Sequence, residues 1–316
     1  MLKEKSLLKY FNRDLAEIKK IAKDSLENKN STTSTLINDL PIDNGKMLRA
    51  IFVLIGGGFG KIDKDKLKRI SAAIEILHLA TLVHDDIIDE SNIRRGKRSI
   101  QSSHGVKAAL FTGDYLFSTA FSLLSKNSSP KTLLDVSETI KLICSAEVNQ
   151  FFSLYSFNST IKDYLRRING KCASLFSLSL SIGAYESNAE PGTIAILKSI
   201  GYYTGMAFQL IDDLLDITSS KATIGKPSGN DIKSGVYTLP VLYEFKKRNK
   251  NLIKCIEENN IIEAVNVLKN SEGLEKSRAT AKKYTYKSLD LISKLPNVNE
   301  KQLLAELVEN LVLREY

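Results

Sequence analysis

The sequence is poor in the residue types that mark cross-linked or strand-rich folds. Its 316 residues include three cysteines, an odd number, at positions 144, 172 and 255 and without CxxC spacing. This pattern excludes a disulfide framework and fits a reducing compartment. The six prolines are widely separated, and the intervals between them are rich in Leu, Ile, Lys, Ser and Glu. Such intervals predict a mostly helical chain.

Long apolar runs and dense basic blocks are also missing. No stretch approaches the roughly 18 uninterrupted apolar residues of a transmembrane helix. The first thirty residues carry basic and acidic charges throughout, unlike a secretory signal or a transit peptide. Although the net charge is +9, the densest basic cluster, residues 246–250, is typical of a solvated loop. We therefore expect a cytoplasmic protein with no nucleic-acid partner.

Apolar residues at helical spacing, such as Leu67, Ile70, Ile74 and Leu77, predict amphipathic helices along most of the chain. Since the sequence shows no linker and no change of composition, we expect an all-α fold with a single domain over residues 1–316. An amphipathic helix over 1–30, a polar loop NKNSTTST, a motif-bearing core over 40–245 and a helical part over 246–316 are predicted. The predicted later helices span about 65–90, 105–126, 131–152, 160–185, 192–218, 236–247, 259–268, 271–294 and 299–313.

Two acidic motifs with the same spacing lie far apart in the chain. DDIID occupies 85–89 and DDLLD occupies 212–216, and each follows an apolar stretch. A single copy would be typical of an exposed acidic turn or a helix N-cap, whereas two copies favour two halves of one site. Carboxylates at this density repel one another, and oxygen ligands with few histidines favour Mg²⁺ over zinc. The predicted metal ligands are Asp85, Asp86, Asp89, Asp212, Asp213 and Asp216.

Basic residues beside glycines flank both acidic motifs. In GKMLR, Lys46 and Arg49 lie three apart on a first helical turn, where backbone N–H groups also favour anions. This arrangement indicates binding sites for two multiply charged anionic groups. One group would be held by Mg²⁺ and the other directly by basic side chains. The other candidates are His78, seven residues before the first motif, and Arg94, Arg95, Lys171 and Lys226.

Seven ordered motifs resemble the trans-polyprenyl diphosphate synthase family. They are GKMLR, LHLATLVHDDIIDES, RRGK, GDYLFS, GKCASLF, FQLIDDLLD and GKPSGNDIKSGVYTLPVLY, and they cover about residues 40–245. Within the family the chain is similar to the long-chain bacterial type, in particular the catalytic component of heptaprenyl or hexaprenyl diphosphate synthases. The resemblance implies an isoprenoid-synthase-type helical bundle around a deep central cavity. It also implies a dimer, either a homodimer or a heterodimer with a small regulatory subunit.

The activity implied by this resemblance is a Mg²⁺-dependent, head-to-tail condensation of isopentenyl diphosphate with an allylic diphosphate such as farnesyl or geranylgeranyl diphosphate. Several Mg²⁺ ions per site would bridge the six aspartates to the allylic diphosphate. The resemblance implies that Arg94, Lys171, Cys172, Gln209 and Lys226 contact the allylic diphosphate, with Lys171 also catalytic, and that Lys46, Arg49, His78 and Arg95 bind isopentenyl diphosphate.

Two positions depart from the family pattern. The family usually has threonine where this chain has Cys172, whose thiol is a weaker hydrogen-bond donor. It often has lysine before the TLP segment, where this chain has Val236 and Tyr237. Both departures concern individual contacts to substrate.

We expect product length to depend on the residues before the first acidic motif. Ala80 and Thr81 lie five and four residues before Asp85, about 7.5 and 6 Å down a helix along which the tail would grow. Because both side chains are small, we predict an open tunnel and a product of about C30–C40. Ordinary packing residues and a short-chain product of about C15–C20 are the alternatives. Because such a product is highly apolar, we expect the protein to contact a membrane transiently when the product is released.

Two other classes of protein share some of these features. Terpene cyclases also use DDxxD, but their second metal site needs a glutamate where this chain has Thr223. A non-catalytic partner subunit that modulates chain length should lose motif residues, whereas both acidic motifs are retained. We therefore expect an enzyme.

Overall fold

In a computed structural model of the protein, helices account for 79% of the described residues. The structure describes residues 2–42, 45–61, 63–218 and 228–312, with side chains from residue 9 onward. The predicted all-α fold class is confirmed. In chain order, the elements are α1 (Leu2–Leu26), α2 (Ser31–Asp39), α3 (Leu48–Gly57), α4 (Lys64–Ile88), β1 (Ile93–Arg94), β2 (Lys97–Arg98), α5 (Ile100–His104), α6 (Val106–Asn127), α7 (Pro130–Phe152), α8 (Ile161–Ile168), a π-helical turn (Asn169–Ala173), α9 (Ser174–Glu186), α10 (Pro191–Thr218), α11 (Asn230–Lys233), α12 (Leu239–Lys246), α13 (Lys250–Glu257), α14 (Ile261–Lys269), α15 (Glu272–Ser293) and α16 (Asn299–Val312).

The Cα positions divide into two compact units. The first contains Met1–Val136, Ser179–Ile194 and Val298–Leu303. The second contains Ser137–Leu178, Ala195–Asn297 and Leu304–Tyr316. That the whole chain is one domain stays a prediction.

In the first unit, α4 packs against α1, α3 and α6. The Asp63 carboxylate caps α4 by accepting the Lys66 N–H, and the apolar positions Ile70, Ile74 and Leu77 are fully buried. Near its other end, His84 Nε2 lies 3.2 Å from the Leu110 carbonyl oxygen of α6. Because α4 is held at both ends, the first acidic motif begins on a rigid helix.

In the second unit, α10 carries the second acidic motif. Met206, Leu210 and Leu214 of this helix are buried. Helix α8 begins with a capping box, in which the side chains of Thr160 and Asp163 each accept the other's backbone N–H. The predicted helix over 160–185 is observed as α8, the π-helical turn and α9 without a break.

The structure differs from the sequence-based expectation in several places. The short elements β1, β2, α5 and α11 were not predicted, and two further segments differ as well. The predicted polar loop NKNSTTST contains the start of α2, because Asn30 accepts the N–H groups of Thr32 and Thr33 and Ile37 is buried. The predicted solvated loop at 246–250 ends where α13 begins, and that helix was not predicted. In both places a cap and one buried apolar residue outweigh poor helix propensity.

One helix in the described ranges, α10, is long and apolar enough to cross a membrane. Half of its apolar window is buried inside the protein. The core helix of a soluble protein passes the same test of length and composition.

Candidate active site

The first acidic motif lies at the end of α4. The helix ends at Ile88 with Asp89 as its C-cap residue, in agreement with the predicted helix over about 65–90. The Asp89 N–H still donates to the Asp85 carbonyl oxygen over 2.8 Å, which keeps these residues within one turn. Asp85 is half-buried, Asp86 is 5% exposed and Asp89 is exposed.

A hairpin directly after α4 brings a cation to this motif. Strands β1 and β2 pair antiparallel, and Arg95 and Gly96 form the turn with φ of 51° and 80°. From β1, Arg94 Nε donates to Asp86 Oδ1 over 2.7 Å, and its Nη2 lies 2.5 Å from the same oxygen. This charge-assisted pair holds the buried Asp86 carboxylate in one orientation.

The predicted isopentenyl diphosphate residues lie in the same unit. Lys46 is exposed just before α3, and Arg49 is half-buried in the first turn of α3. The Arg95 guanidinium lies against Gly45: a Cβ atom on that glycine would be 2.6 Å from Arg95 Nη1. Any larger residue at position 45 would therefore displace Arg95. His78, Arg95 and Gly45 line one small cavity.

Glu75, one turn before His78 on α4, was missed by the sequence analysis. Its Oε1 accepts the Ala50 N–H of α3 over 2.9 Å, whereas the N-cap residue Met47 provides no side-chain cap. Burial raises the pKa of Glu75, against the lowering effect of Arg49 and Arg95. Glu75 thus caps the helix that carries Arg49.

The surroundings of His78 favour its neutral form. Burial lowers the pKa of His78 well below its usual value, and the positive charges of Arg49, Arg95 and Arg94 lower it further. A neutral imidazole can donate one hydrogen bond to a phosphate oxygen without adding charge.

The second acidic motif has one buried aspartate between two accessible ones. Asp212 is exposed, Asp216 is half-buried and Asp213 is 6% exposed. The Tyr164 hydroxyl donates to Asp213 Oδ2 over 2.6 Å, and Gln209 Nε2 donates to Asp213 Oδ1 over 2.8 Å. Burial raises the pKa of Asp213 to about 6, although both hydrogen bonds act in the opposite direction.

The segment that follows the second motif adds a further carboxylate. The N–H groups of Asn230 and Asp231 each donate to an Asp216 side-chain oxygen over 3.3 Å. Burial raises the pKa of Asp231, and the charges of Asp213 and Asp216 raise it further. The sequence signal was present, because Asp231 lies inside the quoted motif GKPSGNDIKSG. Lys226 lies outside the described residues.

Lys171 and Cys172 lie in the π-helical turn between α8 and α9. The Lys171 ammonium is 2.9 Å from Glu147 Oε1 and 3.1 Å from Oε2, on α7. Single π-helical turns are frequent at functional sites, because the extra residue redirects the side chains that follow. Glu147 was not predicted, and Cys172 is buried.

The predicted chain-length residues differ in exposure. Ala80 is fully buried, and Thr81 is half-buried with its hydroxyl donating to the His78 carbonyl oxygen over 2.7 Å. The effect of either residue on product length stays a prediction.

Both motifs offer oxygen ligands only. In the part of the chain that the structure describes, no three acidic, histidine or cysteine side chains converge tightly enough to hold an ion by themselves. Magnesium usually keeps several waters and is held by one or two carboxylates plus substrate phosphates. The accessible aspartates of each motif therefore fit Mg²⁺ that arrives with a diphosphate.

Comparisons with known proteins agree on one family. The polyprenyl synthetase profile matches residues 30–270. The chain is 32% identical to heptaprenyl diphosphate synthase component 2 of Geobacillus stearothermophilus, over 100% of both chains. Its structure is similar to heptaprenyl diphosphate synthase from Staphylococcus aureus, with a TM-score of 0.90, 34% identity and coverage of 96% of this chain and 98% of that chain. A polyprenyl synthase from Caulobacter crescentus, in complex with calcium and isoprenyl diphosphate, gives a TM-score of 0.90, 28% identity and 98% coverage of both chains.

The all-helical fold and the aspartate motifs define an enzyme that transfers prenyl groups. The chain belongs to the polyprenyl synthetase family, and its relatives include long-chain polyprenyl diphosphate synthases. The predicted family and enzyme class are therefore confirmed. The predicted roles of individual site residues stay predictions.

Proposed function

We propose that the protein condenses isopentenyl diphosphate head-to-tail with farnesyl or geranylgeranyl diphosphate to form an all-trans polyprenyl diphosphate. The observation that carries this proposal is common to both acidic motifs. In each, the middle aspartate is buried and tethered, Asp86 by Arg94 and Asp213 by Tyr164, while accessible aspartates flank it. A tethered carboxylate fixes the direction of its neighbours, as a diphosphate site requires.

The accessible aspartates would hold Mg²⁺, with both motifs serving the same reaction. Bound Mg²⁺ would stabilise the negative charge that develops on the departing diphosphate. Arg94 and Lys171 would place cations against the same group, which favours cleavage of the allylic C–O bond. The calcium and isoprenyl diphosphate named for the Caulobacter relative support this assignment.

Isopentenyl diphosphate would bind to the cations around α3 and the hairpin. Arg49 and Arg95 present planar guanidinium groups, which suit bidentate contact with phosphate oxygens. Lys46 would add a mobile charge at the rim, and the neutral His78 a directed hydrogen bond. The proton lost after the new C–C bond forms would pass to the released diphosphate.

The hydrocarbon tail requires apolar walls, since water would quench a carbocation. Ala80 and Thr81 would leave room for a tail of about 30 to 40 carbons. The heptaprenyl relatives support this length over a short-chain product of about 15 to 20 carbons.

Assembly is also part of the proposal. Helix α6 exposes Val106, Leu110 and Phe111, the last at 67%. Exposed apolar residues clustered on one helix favour a protein partner. The name "component 2" of the Geobacillus relative supports a second, small subunit in a heterodimer as an alternative to a homodimer. We place the protein in the cytoplasm, with transient membrane contact at product release.

One incubation tests the activity. The purified chain is given Mg²⁺, labelled isopentenyl diphosphate and farnesyl diphosphate, and the dephosphorylated products are sized by chromatography. Linear prenols longer than twenty carbons, abolished by chelation of Mg²⁺ and restored by its return, are the expected result. Products of twenty carbons or fewer would overturn the long-chain assignment, and cyclic hydrocarbons would support a terpene cyclase instead.

A matched variant separates contaminating activity from that of the chain. Asp212→Asn replaces an exposed carboxylate by a neutral amide of the same shape, and elongation should fall by at least about 100-fold. Lys254→Gln changes an exposed charge on α13 and serves as the control. The assembly proposal is tested by sedimentation of the chain alone, where a monomer with full activity would contradict it.

A further inference from the structure

A buried hydroxyl lies directly against the second acidic motif. Tyr164 is 1% exposed, and its hydroxyl donates to Asp213 Oδ2. Gln209 Nε2 donates to the other oxygen of the same carboxylate. With both oxygens engaged, Asp213 is oriented from two directions, once from its own helix and once from α8.

Helix α8 carries a second residue of the same network. Arg167 lies three residues after Tyr164, and its Cζ is 5.3 Å from the centre of the Tyr164 ring. The Arg167 Nη2 donates to the Tyr237 carbonyl oxygen over 2.9 Å. The Arg167 guanidinium therefore holds the Tyr164 ring in place and connects α8 to the segment before α12.

We propose that Tyr164 is a positioning residue for the second acidic motif, acting through Asp213 to aim Asp212 and Asp216 at the metal-bound allylic diphosphate. This inference rests on the proposed function. Tyr164 is not expected to touch substrate. Its hydroxyl would set the orientation of the Asp213 carboxylate. The accessible carboxylate oxygens belong to Asp212 and Asp216 on the same helix.

The physical reason is the position of the motif in α10. Asp213 lies in the last two turns of a helix that ends at Thr218. Helix ends have unsatisfied carbonyl groups and fray easily. A hydrogen bond from a neutral donor to a carboxylate is stronger than one between neutral groups, and here both partners are buried. The Tyr164 hydroxyl would therefore hold these two turns in the orientation that the metal requires.

The test measures metal binding separately from elongation. Binding of Mn²⁺ in the presence of inorganic pyrophosphate is followed by electron paramagnetic resonance on the full chain. In Tyr164→Phe, which keeps the ring and removes the donor, we expect Mn²⁺ to bind about 10- to 100-fold more weakly. The KM for farnesyl diphosphate should rise, whereas the KM for isopentenyl diphosphate should stay unchanged. Tyr243→Phe, on α12 of the same unit, is the matched control and should leave both quantities unchanged.

A mutant cycle decides whether Tyr164 acts through Asp213. Tyr164→Phe should weaken Mn²⁺ binding in the wild-type chain and have no further effect in Asp213→Asn. Additive effects would overturn the proposal, as would a Tyr164→Phe variant that melts normally and binds Mn²⁺ within twofold of wild type. Circular dichroism melting is recorded for every variant. If Tyr164→Phe is unfolded, the same cycle is run with Arg167→Lys, which removes the planar guanidinium that lies over the Tyr164 ring. Since Mn²⁺ binding needs no elongation, failure of this inference is distinct from failure of the proposed activity.

Discussion

Arg94 and Asp86 form a partly buried ion pair, with the guanidinium Nε 2.7 Å from Oδ1 and the carboxylate residue 5% exposed. Tyr164 and Asp213 form the corresponding contact in the second motif. The middle aspartate of each DDxxD motif is thus an anchor, held by one residue from another element. The flanking aspartates are more accessible, since Asp85 and Asp216 are half-buried and Asp89 and Asp212 are exposed.

Replacement of Arg94 by glutamine should affect stability and activity together. The variant leaves the buried Asp86 carboxylate without its guanidinium and should lower the free energy of unfolding by about 1 to 3 kcal/mol. We expect kcat/KM for farnesyl diphosphate to fall about 100-fold, measured at saturating isopentenyl diphosphate. Arg98→Gln, on the exposed strand β2, is the control. An Arg94→Gln protein with the melting temperature and kinetics of wild type would refute the anchor role.

Glu75 offers a test of the cap at the start of α3. In Glu75→Ala the Ala50 N–H loses its acceptor, and the KM for isopentenyl diphosphate should rise about tenfold because Arg49 loses its fixed position. Glu75→Gln keeps an oxygen acceptor and should stay within about threefold of wild type. Steady-state kinetics with each substrate varied in turn checks both variants.

The same pair of variants shows which property of Glu75 matters. Equal impairment of Glu75→Gln and Glu75→Ala would mean that the charge, and not the cap, is required. Glu27→Gln, at an exposed position just after α1, is the control for removing a carboxylate in the same unit.

Ala80 provides the test of chain length. Ala80→Phe should shorten the product to about C15–C20, because a ring would close the tunnel about 7.5 Å from Asp85. Ala72→Phe, at an equally buried position on α4 but rotated by about 80°, controls for the cost of overpacking. Products are sized after incubation with labelled isopentenyl diphosphate. An unchanged product distribution in Ala80→Phe would show that Ala80 is an ordinary packing residue.

His78 should make stability depend on pH. Its pKa is lowered in the folded state by burial and by neighbouring cations, so below pH 6.5 the unfolded chain binds a proton that the folded chain resists. The contribution of neutral His78 to the stability of the fold is complete above the pKa of the histidine in the unfolded chain. It is lost as the pH falls toward the lower pKa of His78 in the folded protein. Between pH 7.5 and 5 the melting temperature of wild type should fall more steeply than that of His78→Asn. Parallel curves for the two proteins would contradict a lowered pKa.

Much of the site could be predicted because its signals are local. Both DDxxD motifs, the GKMLR turn and the basic segment RRGK are short patterns in which spacing alone places charges together. Glu75, Glu147 and Tyr164 were missed because their partners lie 25, 24 and 49 residues away. Single buried polar residues of this kind have no local pattern, since any helix can contain them for unrelated reasons. The π-helical turn around Lys171 was missed for the same reason, because nothing in NGKCA distinguishes it from a regular helix.

The sequence by itself determined the fold class, the family and the enzyme class, because helical periodicity and motif spacing are properties of neighbouring residues. Only the tertiary structure decided which aspartates are anchors and which are accessible. The six carboxylates are chemically alike, and they differ only in the side chains that packing brings to them. Arg94 reaches Asp86 from strand β1 of the hairpin and Tyr164 reaches Asp213 from another helix, so the difference arises only once these elements pack together.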